Sequence, residues 1–283
     1  MLRKAIWVAA AIVGVAALSG CKSGVEDDPI LRLSSAEALE QGVELMAQEK
    51  YSKARNYLTH AFEVAPNSEG GQKALLMVAD SHFQQGGETN WIRSESRYRD
   101  YLTRFPTSDQ AAYVQFQIAR SLSSRTERPD RDQTATRQAI EEFRTLERLF
   151  PSSEYAGFAA EEIVKLRSLL ADHHFAVGDF YLRYRNPLGA EWRFERMIEE
   201  FTDYPQIDKV LFYLGRSQMA QGKFDAARTT FDKLRAEFPQ SEWLREIPGD
   251  IPEMPGILLP VDDQASDEET VEEGVATEEG TAE

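Results

Sequence analysis

Apolar positions in this chain recur at three- and four-residue spacing through long charged runs, and one repeated mark cuts the runs apart. "VAPNSEGG" (64–71), "RFPTSDQA" (104–111), "LFPSSEYA" (149–156) and "EFPQSEWL" (237–244) each place Pro, one residue, Ser and an acid after such a run. Proline cannot continue a helix. The Ser that follows can cap the next one, and the acid suits its positive end. The pattern therefore predicts one helix stopping and another starting, four times over.

A second spacing lies inside the first. Twenty-four residues separate Gly42 from Pro66 and Gly215 from Pro239. Ala54, Leu58 and Ala61 follow Gly42 at the same offsets as Ala227, Phe231 and Leu234 follow Gly215. A small residue, an Ala twelve later, a large apolar residue four further on and a closing Pro is the tetratricopeptide pattern. Three more windows fit with insertions. Ala79, Tyr98, Tyr101 and Pro106 carry three extra residues around "QQGGETN", with a Ser at the inter-helix small position. Ala119, Ala139, Phe143, Leu146 and Pro151 carry eight around "SSRTERPDRD", and Gly178, Ala190, Phe194, Met197 and Pro205 carry three before the Pro. The expected fold is all-α: a right-handed α-solenoid of about five helix pairs over residues 34–247.

The two ends read differently. "MLRKAIWVAAAIVGVAALSGC" has Arg3 and Lys4 before an apolar run, so residues 1–20 are expected to be a signal peptide. "LSGC" resembles a bacterial lipobox, which makes Cys21 the expected lipidation site and 21–33 a tether. Cys21 is the chain's only cysteine. Lys22 is not the Asp that commonly retains lipoproteins in the inner membrane, so the lipobox resemblance implies the periplasmic face of an outer membrane. Residues 248–283 read as a Pro-rich linker and a disordered acidic tail. The stretch 262–283 has ten acids and neither Lys nor Arg, which leaves −6 of the net charge of −16 for the rest. No basic patch points to nucleic acid.

Catalytic constellations are absent from the sequence: there is no HExxH, GxSxG or Walker loop. His82 falls where the repeat packs a Tyr and is expected to be structural. "DHH" (172–174) makes a poor chelate, because adjacent side chains diverge by about 100° on a helix. Carboxylates at helical spacing, Glu141 to Arg144 and Glu195 to the neighbours of Arg193, read as a solvated face. The chain is expected to be no enzyme and to need no cofactor or metal.

Residues 131–205 go further than generic repeats. A charged Arg131–Asp132 loop, a long helix bearing Leu170, Ala171, His173, Val177, Phe180 and Tyr181, and Arg193 with Glu195 on the next helix resemble the BamD family of outer-membrane lipoproteins. The resemblance spans roughly Cys21 to Pro239. It implies a non-enzymatic subunit of the machinery that inserts β-barrel proteins, whose partners are BamA, through its POTRA domains, unfolded outer-membrane proteins, and other lipoproteins of the complex. It also implies that Arg193 and Glu195 contact the BamA-like partner; in the repeat frame Arg193 is expected to face outward. "RNPLGAEW" stands where the family has a Gly-aromatic-Ala-Ala turn, which leaves that turn's geometry open. A scaffold of the Tol–Pal-associated type, for envelope constriction, is the alternative.

Repeat positions that line a concave face give a groove for the terminal segment of an unfolded barrel protein. They are Leu39, Val43 and Met46; Lys73, Leu76, Asp80 and Phe83; and Tyr113, Phe116 and Arg120. Lys73 and Arg120 are the expected partners of a terminal carboxylate.

Overall fold

The computed structural model describes residues 28–252. Among them ten α-helices follow one another: α1 (Ser35–Ala47), α2 (Tyr51–Val64), α3 (Glu69–Gln85), α4 (Glu88–Arg104), α5 (Ala111–Ser123), α6 (Thr134–Leu149), α7 (Glu154–Arg183), α8 (Pro187–Glu200), α9 (Ile207–Ala220) and α10 (Phe224–Glu237). No strand occurs among the described residues. Each helix packs on the next, and the first helices of neighbouring repeats (α1 with α3, α5 with α7, α7 with α9) also touch. The result is an α-solenoid of five helix pairs. Cys21, the leader before it and the acidic tail lie outside the described residues.

Close approach of paired helices explains the small positions. A Cβ on Gly42 would lie 2.6 Å from Leu58, one on Gly178 2.7 Å from Phe194, and one on Gly215 2.5 Å from Phe231. The large residue of each second helix thus fills the space that the glycine leaves. In repeat two Ala79 stands at the glycine position, and Ser94 takes the place that Ala54 and Ala227 hold on the second helices of repeats one and five. Ser94 is fully buried, and its hydroxyl avoids the cost of an unpaired polar group by donating to the Trp91 carbonyl (2.8 Å) and meeting the Ser121 hydroxyl (2.9 Å).

The Pro-x-Ser-acid mark works through both of its halves. Ala65, Phe105, Phe150 and Phe238, each before a Pro, share φ between −142° and −129° and ψ between 54° and 65°, so the helix stops there. Ser68 and Ser153 cap α3 and α7, accepting from the N–H of Gly71 and Tyr155, both at 3.0 Å. The other two differ. Ser108 accepts from Gln110 N–H, just ahead of α5, and Ser241 caps the short 3-10 turn Glu242–Glu246. That turn seats Trp243 on Phe212, with ring centroids 5.2 Å apart, and covers the last repeat.

The three extra residues of repeat two do not form a loop. Gly86 (φ 73°) and Gly87 (φ 84°) turn the chain alone, and the insertion lengthens helix instead, α3 and α4 having 17 residues each. The eight extra residues of repeat three do form a loop, residues 124–133. The Gln133 amide donates to the Arg128 carbonyl within it (2.9 Å).

The fourth-repeat turn keeps the geometry of its neighbours. Asn186 N–H donates to the Tyr181 carbonyl (2.9 Å), as Lys50 does to Leu45 and Lys223 to Gln218, and the residue before each is left-handed: Arg185 (φ 58°), Glu49 (φ 56°) and Gly222 (φ 75°). This is the six-to-one bond of a Schellman end. Arg185 adopts a backbone state that glycine adopts freely. Arg185→Gly is therefore expected to raise stability by about 0.5–1 kcal/mol, read as a higher urea midpoint at unchanged slope.

Helix α7 runs for 30 residues, against 13 to 17 for the others. Its Ala159, Ile163 and Leu166 belong to the core of repeats two and three, while Ala171 belongs to the core formed with α8 and α9; Leu170 packs against both.

Candidate partner-binding surfaces

Arg193 does not point away from the solenoid. It is half-buried against α7, where its Nη1 donates to His174 Nδ1 at 3.2 Å. Burial and then the charge of Arg193 push the His174 pKa down to about 4, so the ring is neutral and can accept at Nδ1. Arg193 Nε is buried without a hydrogen-bond partner, and no carboxylate pairs with the guanidinium among the described residues. The cation also lies 5.2 Å from the centre of the Trp192 ring. Arg196, paired with Glu200 at 2.5 Å, lies 5.1 Å from the same ring. Trp192 is 52% exposed, and from it a run of exposed apolar side chains steps back by four: Leu188, Tyr184 and Phe180. The Phe180 and Tyr184 rings stand 4.4 Å apart. The tip of the α7–α8 pair thus offers water an aromatic patch edged by a cation that lacks an ionic partner. An exposed Trp beside such an Arg has the make-up of an interface centre.

Glu195 lies on another side of α8. It lines a shallow cleft of about 250 Å³ with Leu211, Thr230 and Lys233 of α9 and α10. Burial holds its carboxyl above the ordinary carboxylate range. The helical-spacing pair expected for Glu195 is not made, because Arg196 turns to Glu200; Glu141 and Arg144 do pair, at 2.8 Å. Arg193 and Glu195, two residues apart on α8, thus face different sides of the helix.

The groove residues divide in three. Lys73, Leu76, Asp80 and Tyr113 line a cleft of about 650 Å³ between α3 and α5. Phe116 and Arg120 line a second of about 310 Å³, with Phe158 and Glu161 of α7. Phe83 joins them: the Arg120 guanidinium stands 4.8 Å from the Phe83 ring centre and 5.7 Å from that of Phe116. The first-repeat residues are not part of either. Met46 is buried in the core of the first pair and Leu39 packs against that core, while Val43 is exposed away from both clefts. Met46 and Leu39 are used for packing the first pair, and Val43 alone of the three faces water.

Residues 32–217 match the model of the YfiO family, described as outer membrane lipoprotein, and residues 209–241 match a tetratricopeptide repeat. The chain belongs to the YfiO family. Its relatives include proteins named outer membrane protein assembly factor BamD. The one from Rickettsia prowazekii is 27% identical over 80% of this chain and 88% of its own length. Those from Caulobacter vibrioides (25%, over 85% and 78%) and Haemophilus influenzae (24%, over 78% and 86%) are similar over comparable shares.

In this YfiO-family chain three features at the two surfaces escape repeat arithmetic. Phe158 of α7 extends the second cleft, and Tyr155 backs it by stacking on Phe116 at 5.2 Å, although α7 belongs to the fourth repeat. The Phe180–Trp192 patch follows a four-residue step across a helix break, a signal that was visible in the sequence. The "DHH" side chains diverge as their spacing predicts: His173 Nδ1 donates to the Pro129 carbonyl at 2.6 Å and so fastens the 124–133 loop, while His174 serves Arg193.

Asp80 at the floor of the first cleft accepts from the hydroxyls of Tyr98 (2.7 Å) and Tyr113 (2.8 Å). Burial raises its pKa from the ordinary 3.8, against the pull of those two bonds. The folded state therefore holds this proton more tightly than the unfolded chain, so Asp80 costs stability as pH rises from 3.8 through its raised value. Asp80→Asn keeps an acceptor for both hydroxyls. Relative to wild type it is expected to gain stability across that window, read as the difference in urea midpoints between acidic and neutral pH. Asp80→Leu leaves the buried Tyr98 hydroxyl unpaired and is expected to lose about 1–3 kcal/mol.

Proposed function

We propose that this chain is a non-enzymatic assembly factor for outer-membrane β-barrel proteins, held on the periplasmic face of the outer membrane by lipid on Cys21. The observation that carries the reading is the YfiO-family match, with relatives named as outer membrane protein assembly factors over most of their length. Two surfaces divide the work. The Arg193–Trp192 patch and Glu195 meet a BamA-like barrel protein bearing POTRA domains. The clefts from Lys73 to Arg120 take the terminal segment of an unfolded barrel protein, its apolar side chains against Leu76, Phe83 and Phe116 and its carboxylate at Arg120. The long α7 favours this reading over an envelope-constriction scaffold, since generic arrays lack such a helix.

Affinity isolation from detergent-solubilised envelopes tests it. Recovery of a POTRA-containing barrel protein is the expected result, together with loss of barrel proteins from the membrane on depletion. Recovery of constriction or peptidoglycan-synthesis proteins instead would overturn it. The anchor has its own test. Cys21→Ala is expected to abolish fatty-acid incorporation and membrane flotation, since a protein thiol carries the lipid in this reading.

A further inference from the structure

A third site stands apart from both surfaces. His82, Arg93, Ser96 and Arg97 line a cleft of about 380 Å³ where the end of α3 meets α4. His82 is only 7% exposed, and its Nδ1 is buried with no hydrogen-bond partner. Arg93 and Arg97 are one helical turn apart, a like-charge spacing that costs a helix stability. Arg55 of α2 stands beside them, 3.4 Å from the hydroxyl of Ser81, the residue before His82. Burial and the neighbouring Arg93 charge depress the proton affinity of Arg55. Burial and the charges of Arg55, Arg93 and Arg97 hold the His82 ring neutral, with a pKa of about 4.

Counter-charge is scarce here. Among the described residues the only ion pair of these cations is Arg97 with Asp100, at the long distance of 3.5 Å. Two guanidiniums thus line the cleft, and a third, that of Arg55, stands close enough to act on His82, in a chain whose net charge is −16. Guanidinium forks recognise oxyanions, and each added fork needs another acceptor oxygen. Two forks suffice a carboxylate. Three forks with the Ser96 hydroxyl suit a tetrahedral group.

We propose that Arg55, Arg93, Ser96 and Arg97, with His82 as the inner wall, bind a phosphate group, carried by a lipid headgroup or free in solution. The site is independent of the assembly reading, since it shares no residue with either surface.

The test uses the full chain, isotope-labelled, in uncharged detergent and phosphate-free buffer at physiological ionic strength. Inorganic phosphate is expected to give a saturable shift of the His82 ring and of the Arg93 and Arg97 Nε–H resonances. In nanodiscs without added phosphate, the same shift with phosphatidylglycerol and not with phosphatidylcholine identifies a headgroup. A shift on adding inorganic phosphate alone identifies the free ion. Arg93 and Arg97 are exposed, so R93Q/R97Q is expected to stay folded and to bind at least about tenfold more weakly. Arg55→Gln is expected to weaken binding in the same direction. No saturable shift in either arm, or undiminished binding by R93Q/R97Q, would overturn the proposal.

Discussion

Phe194→Ala is expected to lower the unfolding free energy by about 3–5 kcal/mol, the range for emptying an aromatic site in a packed core. Phe194 is fully buried, and its ring fills the space that Gly178 leaves on the facing helix. Phe175 and Tyr213 touch it at centroid distances of 5.6 and 5.9 Å. Neither can swing in to close the gap without leaving its own neighbours. In a solenoid the loss falls on one interface, here α7 with α8. Hydrogen exchange should therefore quicken first at Ala171–Met197, while α1 and α2 keep their protection. A fall of under about 1.5 kcal/mol in urea unfolding would mean that the repeat collapses around the hole, and that the small-to-large rule carries less weight than its geometry implies.

Arg193→Leu is expected to cost about 2–5 kcal/mol of affinity for the BamA-like partner while the melting temperature holds. Among the described residues the guanidinium has a neutral His174 and the Trp192 ring for company, so its removal breaks no ion pair there. Arg193→Lys should recover little, because an ammonium neither forks nor stacks as a guanidinium does. Trp192→Ala should lose affinity in parallel, since both belong to one patch. Binding to the partner's soluble POTRA domains, measured beside thermal melting, separates the outcomes. Affinity that falls only in step with stability would make Arg193 a packing residue of the α7–α8 pair.

Much of this architecture was legible before any coordinates. Gly42, Gly178 and Gly215 could be read as close approaches because a fixed offset tied each to a large partner, and short-range spacing survives packing. Pro-x-Ser-acid marked helix ends because proline acts on its own neighbours. What spacing could not carry was the choice between loop and helix for inserted residues: Gly86 and Gly87 turned the chain in two residues, and "ETN" became helix. Nor could it tell which way a half-buried cation turns. Arg193 sits on the side of α8 that a helical wheel leaves open, and only the position of His174, 19 residues earlier, drew it inward. Met46 and Leu39 were misplaced for a different reason, since a repeat position fixes which side of a helix a residue occupies and not whether its side chain packs inward.

One helix sets how the two halves of the molecule can move. At about 1.5 Å per residue, α7 is a rod of roughly 45 Å, far longer than any single repeat needs. One half of it is clamped in the core that carries the clefts, the other in the core that carries the aromatic tip, and Leu170 is the bearing between them. A rod so held transmits tilt, not stretch. A partner that rocks the tip by a few degrees would shift Phe158, about 18 Å along the rod from Leu170, by about 1–2 Å at the mouth of the second cleft, and a segment seated there would rock the tip in return. The two occupants would then feel each other through leverage, with no need for the solenoid between them to change its fold.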